Sequence, residues 1–279
     1  MKVTIAIPFF NDGKYFAQAI QSVLNQTYQD YELILIDDGS TDNSLKIAQE
    51  YASRDSRIIV ISDGENHGLA VRLNQTIKMA KGDYYARMDA DDIMCVDRIK
   101  TQVEYLDTHP DVDVVGSSAM LINANNEIVG SRDSRENTKG FMHPTIMGKT
   151  CWFLANPYAE WCKRCQDKEL WLRTGSHSVF RNLRQPLMFY REAGTINFKK
   201  YMKSRHASIA IARKYKDYNL SFSWFIKSMS RNYIQILTYF IFDKLNMIDY
   251  IVKRRSATPL SDNYCLKKED LQKSIVVNR

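Results

Sequence analysis

Four short apolar runs, each closing on polar or acidic residues, constrain this chain more than any other feature. "VTIAIP" (3–8), "ELILIDDGS" (32–40), "RIIVIS" (57–62) and "DYYARMD" (83–89) have strand length and β-branched or aromatic content. Helical patterns lie between them. Tyr15, Phe16, Ala19, Ile20, Val23 and Leu24 share one face, "STDNSLKIAQEYA" opens on capping residues, and a helix is predicted from about Gly68 to Ala80. Another helix, about 96–108, leads into the strand "DVDVVGSSAMLIN". Apolar strands alternating with helices predict an α/β fold, a mostly parallel central sheet flanked by helices. Ligands of such sheets sit beyond the carboxyl ends of the strands, and "PFFND", "DDGSTD" and "DADD" all fall there.

From about 125 to 160 the periodicity breaks into polar, loop-like sequence. "DKELWLRTG" (167–175) reads as a short helix and "VFRNLRQPLMFYR" as a further strand. After Phe198 the chain is helical and basic to about 255, then polar. Its 279 residues can bury a full core. The net charge of +7 is uneven: residues 1–200 hold 24 Lys/Arg against 26 Asp/Glu, whereas 201–279 hold 15 against 6. That distribution argues against a nucleic-acid groove across the fold and for a C-terminal surface facing something anionic. Five irregularly spaced cysteines are no disulfide framework, and "CKRC" (Cys162 to Cys165) lacks a second pair for zinc. Reduced thiols and a cytoplasmic setting are expected. The N-terminal run reads as a first strand and not a signal peptide. "NYIQILTYFIF" (232–242) is too short to span a bilayer.

Asp89 and Asp91 flank one residue at a strand end, where side chains two apart point the same way. Such a pair can hold a hard divalent cation, with water and phosphate oxygens completing the shell. The competing reading is a capped loop, with Asp91 or Asp92 serving a helix start. Ser40, Thr41 and Asp42 account for the turn and cap after the second strand, which leaves Asp37 and Asp38 to accept from a ribose hydroxyl or a base N–H. Neither a GxGxxG fingerprint nor a P-loop is present, so a cation at "DADD" is the candidate for neutralising phosphates.

In this order the motifs resemble family 2 inverting glycosyltransferases of the GT-A fold. "VTIAIPFFNDGKYFAQAIQSVLNQTYQDYELILIDDGSTD" is similar to the family's opening and "NHGLAVRLNQTIKMAKGDYYARMDADD" to its middle block. "QDKELWLRTG" with "NLRQPLMFYR" is similar to the block carrying the catalytic base, so the resemblance covers roughly 1–195. It implies that Asp38 contacts the uracil of a UDP-sugar, that Arg72 lies near the nucleotide, and that Pro8, Phe10 and Ala90 contribute to the donor site. It further implies that Asp91 binds Mn2+ or Mg2+, with Asp89 by the ribose and the metal's waters, and that Asp167 is the general base. Residues 1–92 then form the nucleotide-sugar half, 93–200 the acceptor and base half, and 201–279 a basic helical region. A base on the face opposite the leaving nucleotide takes the acceptor's proton and inverts the anomeric centre.

The pair before the base helix is QD where ED is commoner, and the QxxRW motif of processive synthases is absent. Transfer of one hexose or N-acetylhexosamine is therefore expected. Trp171, one turn after Asp167, and His143 in "HPTIM" are the acceptor-side candidates. The aromatics among Lys and Arg in 221–255 fit either a helical pair packed on the domain or an interfacial segment inserting Trp224 and Phe225 beside anionic lipid. The implied setting is the cytoplasmic face of a bacterial membrane. The implied acceptor is an undecaprenyl-diphosphate-linked saccharide of O-antigen, lipopolysaccharide or exopolysaccharide synthesis. Two other classes compete. An aspartyl phosphotransferase would want its acid after the first strand, and a non-catalytic nucleotide-sugar-binding module would bind without transfer.

Overall fold

The computed structural model describes residues 1–134, 141–192, 198–215, 222–245, 247 and 268–277. Strands β1 (Val3–Phe9), β2 (Tyr31–Asp37), β3 (Ile58–Ile61) and β4 (Tyr84–Arg87) run parallel in the order 3-2-1-4. Helices α1 (Phe16–Leu24), α2 (Ser44–Ala52) and α3 (Leu69–Met79) make the crossovers. Both β1 and β2 are buried along their whole length, as strands covered on two faces must be. Their carboxyl ends open on one edge, where the polar motifs stand.

Past β4 the sheet changes character. β8 (Met147–Lys149) pairs antiparallel with both β4 and β6 (Val114–Ile122), while β9 (Phe180–Arg191) runs parallel to β6. β7 (Ile128–Arg132) pairs with β6, and the two-residue β5 (Ile93–Met94) pairs with the end of β9. The parallel half is the sheet that the alternating pattern predicts; the other half is mixed. Part of the stretch expected to be loop, about 125–160, supplies β7, β8 and α5 (Thr150–Ala155). Those elements are too short to show a period, and position 148 takes only glycine because a Cβ there would sit 2.5 Å from the Asp113 carbonyl oxygen.

Helix α4 (Arg98–Thr108) and helix α6 (Gln166–Thr174) fall close to their expected places. In the basic region, α7 (Phe198–Lys214) and α8 (Phe222–Lys244) pair through the stacked rings of Tyr201 and Tyr239, 3.6 Å apart, and an Arg205–Gln235 hydrogen bond of 2.6 Å. The last helix, α9 (Lys268–Ile275), returns to the sheet. Leu271 packs with Ile93, Met120, Ile122 and Phe189, and Asn25 donates to the carbonyls of Ser274 and Val276. Residues 268–275 thus close the β5 edge, which splits the region 201–279 between two locations. Most of 246–267, where the basic segment was expected to end, lies outside the described residues.

Asn74 ties α3 to the chain leading into α6. Its amide donates to the Tyr158 carbonyl (3.0 Å) and accepts from the Tyr158 N–H (2.9 Å), all buried. Asn74→Ala strands both backbone groups, so the unfolding free energy in urea should fall by about 2–4 kcal/mol.

Candidate active site

The first two strand ends are locked together by hydrogen bonds between their loops. Asn11, held at φ 57°, accepts through Oδ1 from the backbone of Thr41 (2.8 Å) and Asp42 (3.2 Å), and Asp42 accepts from Gly13 N–H (3.0 Å). Asp37 accepts from Ser40 N–H and Ser62 Oγ, both at 2.9 Å, and so joins the end of β2 to β3. Asp37 is thereby committed to scaffold. Pro8 is buried within β1, whereas Phe10 stands exposed on the loop beyond it.

Asp38 sits in a different environment. It is buried, and it accepts from the backbone N–H of His67 (2.8 Å) and Gly68 (3.1 Å) and from Arg72 Nε (3.0 Å). Arg72 is fully buried and forks onto Asp63 at 2.8 and 2.6 Å, the planar geometry for which arginine is suited. The Arg72 guanidinium holds the Asp63 carboxyl well below the usual range. Arg72 therefore positions two strand-end acids. Asp63 is a site residue that the sequence reading missed, although a single polar acid after "RIIVIS" was its signal.

The acids of "DADD" are gathered by a turn and not by strand alternation. β4 ends at Arg87, Asp92 N–H returns to the Asp89 carbonyl (3.4 Å), and β5 follows at once. Asp89, Asp91 and Asp92 each place an oxygen within 4.8 Å of the others. Ala90 is buried at the tip between them. Arg87, fully buried beneath the turn, is ion-paired with Asp89. Asp92 does not start a helix, since α4 begins only at Arg98. Instead its Oδ1 accepts from Arg191 N–H (2.8 Å), while Arg191 Nε donates to the Asp91 carbonyl (2.8 Å). Arg191 also stacks on Tyr15 at 3.9 Å. This arginine, the last residue of β9, is the second one the sequence reading missed; only its place at the end of "PLMFYR" hinted at it.

Crowding shows in the protonation equilibria. Burial first, then the Asp89 and Asp12 charges, push Asp91 up to about 6, and burial with Asp89 and Asp91 raises Asp92 as well. Among the described residues Asp92 Oδ2 is buried with no hydrogen-bond partner. Three hard oxygen donors, repelling one another and incompletely satisfied, fit a divalent cation of the Mg2+ or Mn2+ type.

Asp167 lies in the first turn of α6, half-buried, and its carboxylate has no side-chain hydrogen-bond partner among the described residues. Burial raises it, while nearby Lys168 N–H and Arg87 work the other way. Its neighbour Glu169 is different in kind. Fully buried, Glu169 is bonded by Arg173 at 2.9 Å and by the Tyr215 hydroxyl. His143 donates to or accepts from the Tyr158 hydroxyl at 2.8 Å, and burial beside Arg87 keeps its imidazole neutral. Trp171 is placed in the core and not at an open acceptor surface. Its ring is 5% exposed, packed edge-on to Phe141 (4.8 Å) and Phe180 (5.4 Å).

A polar strand edge, an acidic turn and a separate half-buried carboxylate on α6 are what this fold brings out, and the fold is that of the GT-A glycosyltransferases. The Glycosyl transferase family 2 profile matches residues 4–182, and the chain belongs to that family. Among relatives, EpsE of Bacillus subtilis is 36% identical over 205 residues, 68% of this chain and 73% of EpsE. The B. subtilis glycosyltransferase TuaG, named for teichuronic acid biosynthesis, is 36% identical over 37% of this chain and 41% of its own. Among solved structures, S. aureus TarS in complex with UDP-GlcNAc superposes with a TM-score of 0.64 at 18% identity, over 86% of this chain and 72% of that one. A Pyrobaculum calidifontis mannosyltransferase in complex with GDP-Man and Mn2+ gives a TM-score of 0.62 at 14% identity, over 92% and 73%. At these identities the two structures show the shared fold.

Arg72→Met would leave Asp38 buried without its cation. Denaturant titration should show a loss of about 3–5 kcal/mol, and Arg72→Lys should recover little of it because an ammonium cannot fork between Asp38 and Asp63.

Proposed function

We propose that this glycosyltransferase moves one hexose or N-acetylhexosamine from a UDP-sugar to a lipid-diphosphate-linked saccharide, with inversion, during assembly of a bacterial surface polysaccharide. The observation that carries the reading is the division of labour among the carboxylates. Asp89, Asp91 and Asp92 cluster at one strand end, Asp38 is held at another, and Asp167 stands apart with no side-chain hydrogen-bond partner among the described residues. The UDP-GlcNAc bound in the TarS structure supports a uridine donor, and the name of TuaG supports a surface-polymer product.

In this reading Asp38, fixed by Arg72 and two backbone N–H groups, presents its remaining acceptor capacity to the uracil N–H. Phe10 flanks the nucleotide from the β1 loop, and the backbone around Ala90 abuts the ribose. Asp91 is the principal ligand of a divalent cation, with Asp89 and Asp92 beside it. When bound there, that cation neutralises charge building on the leaving diphosphate. Asp167 takes the proton of the attacking hydroxyl. Its raised pKa, set chiefly by burial, makes it a stronger base than an exposed aspartate. Attack from its side inverts the anomeric centre, so an α-linked donor gives a β-linkage. His143, neutral and bonded to Tyr158, offers a hydrogen bond and no charge to an acceptor.

Membrane association at the cytoplasmic face belongs to the same reading. No helix among the described residues is long and apolar enough to cross a bilayer. α8 carries an exposed apolar stripe, Ile226, Tyr233, Ile234, Leu237, Phe240 and Ile241, at helical spacing. Lys227, Arg231 and Lys244 lie on the same helix, the composition of an interfacial helix. Trp224 and Phe225, expected to insert, are half-buried, so the contact shifts toward the C-terminal turns of α8.

Asp167→Asn separates a catalyst from a binding module. UDP affinity should stay within about twofold while kcat falls roughly 100- to 10,000-fold; equal turnover would remove Asp167 as the base. In the wild type, protonation silences the base, so kcat/KM should rise with pH through an inflection above the ordinary carboxylate range, as the raised Asp167 requires. NMR of the product should show the β anomer.

A further inference from the structure

A cavity of about 680 Å³ lies between the start of α3, the segment 160–166 and one face of α7. Nothing in the chemistry above uses it. His67 and Gly68 form one wall, and their N–H groups are the ones that hold Asp38. Gln166, directly before Asp167, forms another. The cavity thus touches both the loop that fixes the donor-side acid and the helix start that carries the base. Ala70, Ala207 and Ala210 leave it open, and its volume is that of a site for a small ligand.

Its charge is one-sided. Lys163, Arg164 and Lys203 line it against a single acid, Glu160, whose carboxylate already accepts from Asn74 at 3.1 Å. No salt bridge among the described residues reaches any of the three cations. Further cations lie nearby, and burial together with Arg205 and Arg231 lowers the Lys168 ammonium. Like charges gathered around a cavity repel, and an anion held among them removes that cost while gaining charge-assisted hydrogen bonds.

Two sources could supply a diphosphate: the donor nucleotide or the acceptor. In the reading above the donor's phosphates go to the acidic turn and its cation, and no hydrogen bond among the described residues links that turn to Lys163, Arg164 or Lys203. We propose that this cavity is the phosphate subsite of the acceptor, with Lys163, Arg164 and Lys203 binding the diphosphate that joins the acceptor sugar to its lipid. The inference rests on the transferase reading and adds to it the residues that select a charged acceptor. It also gives α7 a role: Lys203 reaches the cavity from the helix that pairs with α8, so a lipid lying along α8 would bring its headgroup to this side of the molecule.

The test uses the full chain and the triple variant Lys163→Ala, Arg164→Ala, Lys203→Ala. With a short-chain prenyl-diphosphate N-acetylglucosamine acceptor, the variant's acceptor KM should rise at least tenfold while its KM for the UDP-sugar stays within twofold. With the same sugar on an uncharged octyl chain, wild type and variant should be equally poor. An unchanged acceptor KM overturns the proposal, and so does an equal rise in donor KM, which would assign the cations to the nucleotide. A second measurement is independent of turnover. Trp161 lines the cavity beside Lys214, 4.2 Å from its ring, so its fluorescence reports on occupancy. Inorganic pyrophosphate titrated in EDTA, which keeps the acidic turn metal-free, should give a saturable change in the wild type that the triple variant loses. A flat titration overturns the subsite even if transfer to lipid-diphosphate acceptors is found. A saturable titration without such transfer leaves the anion site standing and refutes the acceptor reading instead.

Discussion

The buried carboxylate of Asp92 is the contact on which the architecture of the site depends. By accepting from Arg191 N–H it fastens the turn after β4 to the last residue of β9, two segments about a hundred residues apart. β5 then pairs with β9 in register, Ile93 opposite Phe189, and α9 closes the edge over Leu271. Asp89 and Asp91 owe their convergence to that fastening, because a free turn of three acids would splay apart. A residue that resembles a helix cap in sequence is therefore the keystone of the acidic cluster.

Cations are distributed around this cluster without neutralising it. Arg87 and Arg98 are both fully buried; Arg87 meets Asp89, whereas Arg98 donates to the carbonyls of Arg87 and Ile146. Burial pulls Arg98 down to about 9, a sign of how dry the floor of the site is. Arg191 spends its donors on backbone and on Asn126. What remains is excess negative charge at the mouth, where a divalent cation and a diphosphate would complete the balance. On the other side, excess positive charge around the 680 Å³ cavity has the opposite deficit. The acidic turn and the basic cavity thus carry opposite charge.

Much of this was legible in the chain. The parallel half of the sheet follows from four apolar runs with helices between them, and "DDGSTD" and "DADD" mark its ligand edge directly. Pairwise readings of single acids fared less well. Asp37 and Asp38 look alike in sequence, yet one ties strands together and the other is poised on Arg72; the difference lies in Ser62 and His67, brought in from β3 and its loop. Asp63 left only the faint signal of an acid after a strand, its partner Arg72 lying nine residues on, whereas Arg191 acts on a turn about a hundred residues away. Trp171 shares a helix with Asp167, but periodicity could not tell which way its ring faced, and the aromatic core of Phe141, Trp152 and Phe180 decides it. Short β7 and β8 carry no period long enough to read.

The central claim is that the acidic turn is built to be completed by one divalent cation together with a nucleotide diphosphate. Calorimetric titration of Mn2+ into the protein saturated with UDP tests it most directly. The account predicts one Mn2+ bound per chain, with UDP affinity falling when EDTA is added, and no detectable Mn2+ binding in Asp91→Asn. Unaltered Mn2+ binding in that variant, or UDP binding indifferent to EDTA, would contradict it.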